Sequence, residues 1–180
     1  MVRVLYLIIT GLVGAALVHV LEIFMIPAFA QNDAWARIAK SEPTGTFRTI
    51  GTDLDLGDRM AVASRGFVLG TCHFTLENGP VLIRGQQAPS FWSMSVYNRR
   101  GENIFSVNDR ITPNGELDIL VATPVQIIEL QNDMPDDLNE TVFAEADTDD
   151  GFVILRTFLE EESLRSQAAA FISGSSCEPY

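Results

Sequence analysis

Two histidines and two cysteines are all that this 180-residue chain has of the side chains that most often ligate transition metals. His19 lies inside an apolar run, so a histidine-based hydrolase would have only His73 as its base, and no G-x-S-x-G accompanies it. Cys72 and Cys177 form neither a CxxC nor a zinc spacing. The P-loop and dinucleotide fingerprints are missing as well, so neither a metal nor a cofactor is expected. Basic side chains are scarce: 12 Lys plus Arg stand against 24 Asp plus Glu, for a net charge of −12. That balance excludes nucleic acid as a natural partner, since phosphate neutralisation by Lys and Arg dominates its binding. It also argues against a domain lying flat on an anionic lipid surface.

What the chain does have is one long apolar segment. Residues 4–21 carry no charge apart from the titratable His19, and with Glu22 to Ile26 they match a hydrocarbon core of ~30 Å at ~1.5 Å per residue. Pro27 is expected to end that helix. A retained anchor is the favoured reading. The alternative is a cleaved signal peptide, because Ala28-Phe29-Ala30 precedes the polar Gln31 as a peptidase site would. Both readings export the remainder. The Lys/Arg rule nearly ties, with Arg3 on one side and Arg37 and Lys40 on the other; the cysteines and the cleavage-like tripeptide favour the large domain outside. Gly11, Ala15, His19 and Glu22 fall within about 80° of one another on a helical wheel. This small-then-polar stripe suits contact with a companion membrane helix or a second copy of the chain. The competing account is that glycines are ordinary in such helices and His19 merely nears the interface.

Beyond the anchor, Asn32-Asp33 before AWARIAK reads as a capped helical turn, with Trp35 at the membrane interface. Asp53, Asp55 and Asp58 match no complete calcium-loop signature and read as solvated turn carboxylates. From there, short alternating runs separated by turns predict strands. FVLGTCHFTL and PVLIRG flank Asn78-Gly79 as a hairpin. FWSMSVY alternates, with Trp92, Met94 and Val96 facing one way; NRRGEN then leads into IFSV. LDILVA and VQIIEL follow, and TVFAEA and FVILRTF flank a hairpin-type turn, DTDDG. EEESLRSQAAAFI predicts a short C-terminal helix. The expected fold is mainly β: a transmembrane helix (1–30), an amphipathic turn and linker (31–58), and one antiparallel sandwich or jelly-roll-like domain ending in a helix (59–180). In an oxidising compartment Cys72 and Cys177 can pair, closing a loop of roughly 100 residues worth about 4–5 kcal/mol; otherwise they are two separate buried thiols.

The segment NDAWARIA after the anchor, the blocks CHFTLENGPVLIRG and APSFWSMSVYNRRGENIFSVNDR, and the late GFVILR before a helix and a terminal Cys carry a resemblance. The chain resembles small membrane-anchored bacterial proteins of the domain-of-unknown-function 1254/1214 families. The resemblance implies a jelly-roll-like β domain, an envelope location and a companion protein of related type; with the anchor and its orientation, the expected place is a bacterial inner membrane with the large domain in the periplasm. It implies no activity, cofactor or catalytic residue.

Chemistry concentrates in one block. Tyr97, Asn98, Arg99 and Arg100 precede a Gly turn, and Asn108, Asp109 and Arg110 end the next strand. Arg forks grip carboxylates and phosphates, so convergence of the two sets would suit a small anionic or sugar-like ligand. The structural alternative has Asp109 paired with Arg99, Arg100 or Arg110. His73 alternates with Thr71 and Thr75 and reads as part of a solvent-facing polar stripe. Two functions remain open: a non-enzymatic envelope protein binding a partner or ligand, or an enzyme on a small periplasmic substrate or glycan using Tyr97, Asn98, Asp109 and Arg110.

Overall fold

The computed structural model describes residues 2–41, 45–50 and 66–180. Helix α1 spans Val2–Ser41 without a break. Its stretch Val2–Met25 is apolar enough to cross a membrane, and none of it is buried against the rest of the chain. At ~1.5 Å per residue these 24 residues extend about 36 Å. Pro27 does not end the helix as expected, and Asn32-Asp33 lie inside it rather than capping a new one. Proline removes one backbone donor, a loss that later contacts can outweigh. Those contacts lie further along: Ile38 is buried against Phe152 and Ile154, with Trp35 packed beside it. Trp35, expected at the membrane interface, packs against the domain.

Among the described residues nine strands follow: β1 (Arg48–Thr49), β2 (Phe67–Thr75), β3 (Val81–Gly85), β4 (Trp92–Asn98), β5 (Asn103–Asn108), β6 (Leu117–Ala122), β7 (Val142–Glu145), β8 (Asp150–Phe158) and β9 (Ser176–Pro179). They form a five-stranded sheet, β1-β2-β8-β4-β5, and a four-stranded sheet, β7-β6-β3-β9. The larger sheet is antiparallel throughout, whereas β7 runs parallel to β6 and makes the smaller sheet mixed. One core joins them: Val68, Cys72, Trp92, Met94, Val96 and Val153 from the larger sheet pack with Ile83, Ile119, Val121 and Cys177 from the smaller. The alternation expected in FWSMSVY holds, with Trp92, Met94 and Val96 almost fully buried.

Two expected hairpins do not form. Strands β2 and β3 lie in different sheets, so Asn78-Gly79 carries the chain from one sheet to the other; DTDDG does the same between β7 and β8. Local turn chemistry is the same for a hairpin and a sheet crossing, and only long-range pairing separates them. VQIIEL, expected as a strand, is part of helix α2 (Pro124–Asn132). Thr123 caps it in a reciprocal box with Gln126, and Pro124 occupies its first turn, where no donor is needed. Ile127 and Leu130 of α2 cover Leu120 and Ala122 on the outer face of the smaller sheet. The C-terminal helix forms as α3 (Arg165–Ser173) and places Ala168, Phe171 and Ile172 in the shared core. Gly70 lets it approach, since a Cβ there would stand 2.1 Å from Ile172. Cys72 of β2 and Cys177 of β9 are joined by a disulfide across 105 residues, tying the two sheets together.

Candidate functional site

The β4–β5 hairpin does form, with Ser93 opposite Asn108 and Tyr97 opposite Asn103. Its geometry decides the fate of the chemical block. Residues 97–100 lie at the turn, and residues 108–110 lie at the other end, a strand of six residues away, or about 20 Å. The two sets expected to converge are held apart by the very hairpin that was to unite them.

Within the turn itself, the side chains of residues 98–102 satisfy one another. Asn98 is buried; its Oδ1 accepts from the backbone N–H of Arg100 and of Glu102, both at 3.0 Å. Its Nδ2 donates to Glu102 Oε2 at 2.6 Å. Arg100 donates to the same oxygen from Nε and Nη2, at 3.1 and 2.8 Å. The hydrogen bonds from Asn98, and then those from Arg100, hold the Glu102 carboxyl below the usual range. Arg99 lies 3.8 Å from Asp150 and 4.5 Å above the Trp35 ring, so it fastens the end of α1 to the hairpin. Tyr97 stacks on Phe152 at 5.1 Å, and its hydroxyl accepts from Arg156 Nη2 at 3.2 Å.

His73 sits across β8 from Tyr97, each opposite Phe152. The stripe it shares with Thr71 is not solvent-facing: Thr71 is fully buried and His73 half-buried. Burial lowers the His73 pKa, with Asp150 opposing the shift. Its Nδ1, Thr71 Oγ1 and Trp35 Nε1 are all buried without a hydrogen-bond partner.

The other end is built differently. Asn108 shapes the turn: its Oδ1 accepts from Arg110 N–H at 3.0 Å, and its carbonyl accepts from Ile111 and Thr112 N–H. Trp92 Nε1 donates to the Gly115 carbonyl at 2.8 Å, holding the loop against the core. Asn114 and Gly115 both adopt positive φ, 56° and 70°. Asp109 takes none of the arginine partners expected for it. Its Oδ1 is buried with no hydrogen-bond partner, and among the described residues it makes no ion pair. Arg110 instead lies 6.0 Å over the Phe91 ring. Beside Asp109 runs an open groove of about 230 Å³, lined also by Gln87, Ser90, Trp92 and Asn114. A larger groove of about 290 Å³ between Gln86, Gln87 and α3 contains no charged side chain. Gln87, Ser90 and Asn114 escape a reading of the sequence because they sit in loops; only the Pro-Asn-Gly turn at 113–115 signals that a loop folds back there. Among the described residues no three His, Cys, Asp or Glu side chains come together to hold a metal. The stretch with Asp53, Asp55 and Asp58 lies outside the described residues.

Residues 54–179 match the model of a family described as proteins of unknown function, DUF1254. The chain belongs to that family. No curated protein matches this DUF1254 chain in sequence. Among solved structures it is similar to the VPA0106 protein from Vibrio parahaemolyticus, with a TM-score of 0.51, 10% identity, and coverage of 63% of this chain and 28% of that one. An uncharacterized protein from Burkholderia cenocepacia gives a TM-score of 0.46 at 13% identity, covering 74% of this chain and 34% of the other. The DUF1254 chain thus spans about a third, or less, of the length of these proteins. At 10% identity the first likeness is one of fold alone.

Proposed function

We propose that this protein is a non-enzymatic envelope protein: one span in a bacterial inner membrane holding a two-sheet binding domain in the periplasm. The observation that carries the reading is the unbroken helix α1, whose first 24 residues are apolar and exposed while its end is packed on the larger sheet by Trp35 and Ile38. A helix exposing so much apolar surface needs lipid around it. Helix α1 continues through the Ala30–Gln31 bond to Ser41, which favours a retained anchor. The Cys72–Cys177 disulfide supports an oxidising compartment. An enzyme using Tyr97, Asn98, Asp109 and Arg110 would need them in one cleft, and they lie at opposite ends of a hairpin. Binding of a partner through the anchor would use the face of Gly11, Ala15, His19 and Glu22, all within α1.

Intact-mass analysis of the protein extracted from membranes with mild detergent tests this. A chain beginning at Met1 and two hydrogens light is expected. A chain beginning at Gln31 would overturn the anchor, and free thiols would remove the support for export.

A further inference from the structure

We propose that Arg156, on the outer face of the larger sheet, is the centre of a binding site for a small monocarboxylate. The inference rests on the binding reading above and names its ligand class. With Trp92, Met94 and Val96 in the core, alternation puts Ser93, Ser95 and Tyr97 of β4 on the opposite face. Val153 and Leu155 likewise place Phe152, Ile154 and Arg156 of β8 beside them. Ser93 pairs with Arg156 on one side and Asn108 on the other, and Ser95 with Ile154 and Ser106. The end of α1 stands on Phe152 and Ile154 through Ile38 and gives this face a raised apolar side.

Arg156 is held differently from its counterparts. Arg84, Arg99, Arg100 and Arg165 each meet a carboxylate. Among the described residues Arg156 meets none. Its Nη1 donates to Ser95 Oγ at 3.3 Å and its Nη2 to the Tyr97 hydroxyl at 3.2 Å, both neutral acceptors. Its Nε is unbonded and is not among the buried orphan atoms, so solvent reaches it. No carboxylate competes on this face. Strands β2, β8, β4 and β5 contain a single acid, Asp150, in a chain that has 24, and Arg99 already holds it at the turn end. A guanidinium partly removed from water without a counter-charge is unfavourable, and an anion seated on it restores the balance.

The planar fork of the guanidinium matches the two oxygens of a carboxylate. One cation neutralises one charge, whereas a phosphate dianion would keep an excess against a chain of net charge −12. The Ser93 hydroxyl and the Asn108 amide flank Arg156 along the same row, so a carboxylate that bears a hydroxyl finds neutral partners as well.

Uniformly ¹⁵N-labelled full-length protein in non-ionic detergent is titrated with sodium lactate, and separately with sodium chloride and with sodium phosphate of equal ionic strength. The arginine Nε–H signal that R156K removes belongs to Arg156. That signal and the Ser93 backbone amide should move saturably with lactate, and the Trp92 indole in the core should stay. R156K keeps the charge but loses the fork, and should weaken lactate at least about fivefold at Ser93, with the Trp92 indole unchanged as the sign of an intact fold. Should R156K fail to fold, S93A gives the second reading, expected at a loss of about twofold at the Arg156 Nε–H. Movement with chloride equal to that with lactate overturns the proposal, as does tighter binding of phosphate, undiminished binding by R156K or no saturable movement at all. Intact mass of the same sample reports the anchor separately, so either reading can fail without the other.

Discussion

The two ends of the β4–β5 hairpin are equally polar in sequence and opposite in construction. At residues 98–102 a buried amide satisfies two backbone donors and a carboxylate, one arginine doubles the grip on that carboxylate, and another closes over Trp35. At residues 108–115 the backbone is just as well fixed, by Asn108 and Trp92, but a buried Asp109 oxygen and the Thr112 hydroxyl are left without hydrogen-bond partners. Polar residues that satisfy each other build a turn. The other end leaves a buried carboxylate oxygen of Asp109 and the Thr112 hydroxyl, three residues apart, unmet. The comparison also separates the arginines from the function first suggested for them: Arg99 and Arg100 hold the structure together, and the acid they were expected to pair with is alone.

That contrast can be broken or sharpened experimentally. The largest effect should come from a change that belongs to neither end. Replacing Cys72 and Cys177 by Ala opens a loop of 105 residues and should cost about 4–5 kcal/mol in urea unfolding, with hydrogen exchange rising alike at Gly101 and Gly115. A loss confined to one end would show that the ends do not share the core. Next is N98A, which removes three hydrogen bonds of a buried side chain and should cost roughly 2 kcal/mol, against about 1 kcal/mol for N108A, which removes one. Equal costs would abolish the distinction. D109N should change stability by less than about 0.5 kcal/mol, because no internal bond to the carboxylate oxygen Oδ1 is lost. A large destabilisation would reveal a structural partner for Asp109 and close the site.

The smallest effect is on acidity, and it acts at the turn end. Glu102 has a folded pKa below its ordinary value, so its contribution is complete above that value and is lost as pH falls through the folded one. His73 is also lowered, which for a base means that the unfolded chain takes the proton first; stability falls once pH drops below the ordinary histidine range. Amide exchange at Gly101 should therefore rise on acidification before that at Gly115, and H73F should remove the histidine part of the slope. Earlier loosening at Gly115 would contradict the assignment.

Much of the fold is legible in the residues because the signals are local. The apolar run of α1, the alternation of β4, the Gly101 turn and the amphipathic α3 each depend on neighbours a few positions away. What eludes such a reading is long-range. Whether Asn78-Gly79 turns a hairpin or crosses between sheets depends on β8, whose residues pair with β2 across most of the domain. VQIIEL has strand composition, yet Thr123-Pro124 and Gln126 start a helix, and the open face of β6 gives it somewhere to pack. The helix runs on through Pro27 to Ile38, which packs on Phe152 and Ile154, partners distant along the chain. The candidate site shows the same division: Asp109 is visible in the sequence, while the loop residues facing it are neighbours only in three dimensions.

The most direct test of the two-ended hairpin uses its two indole N–H groups, Trp35 under Arg99 and Trp92 bonded to Gly115. In ¹⁵N-tryptophan spectra of the full-length chain, R99A should shift the Trp35 signal and leave Trp92 in place, and D109N should do the reverse. If either variant moves both signals equally, or moves the distant one, the ends are a single coupled unit and the division into a structural end and an open end is wrong.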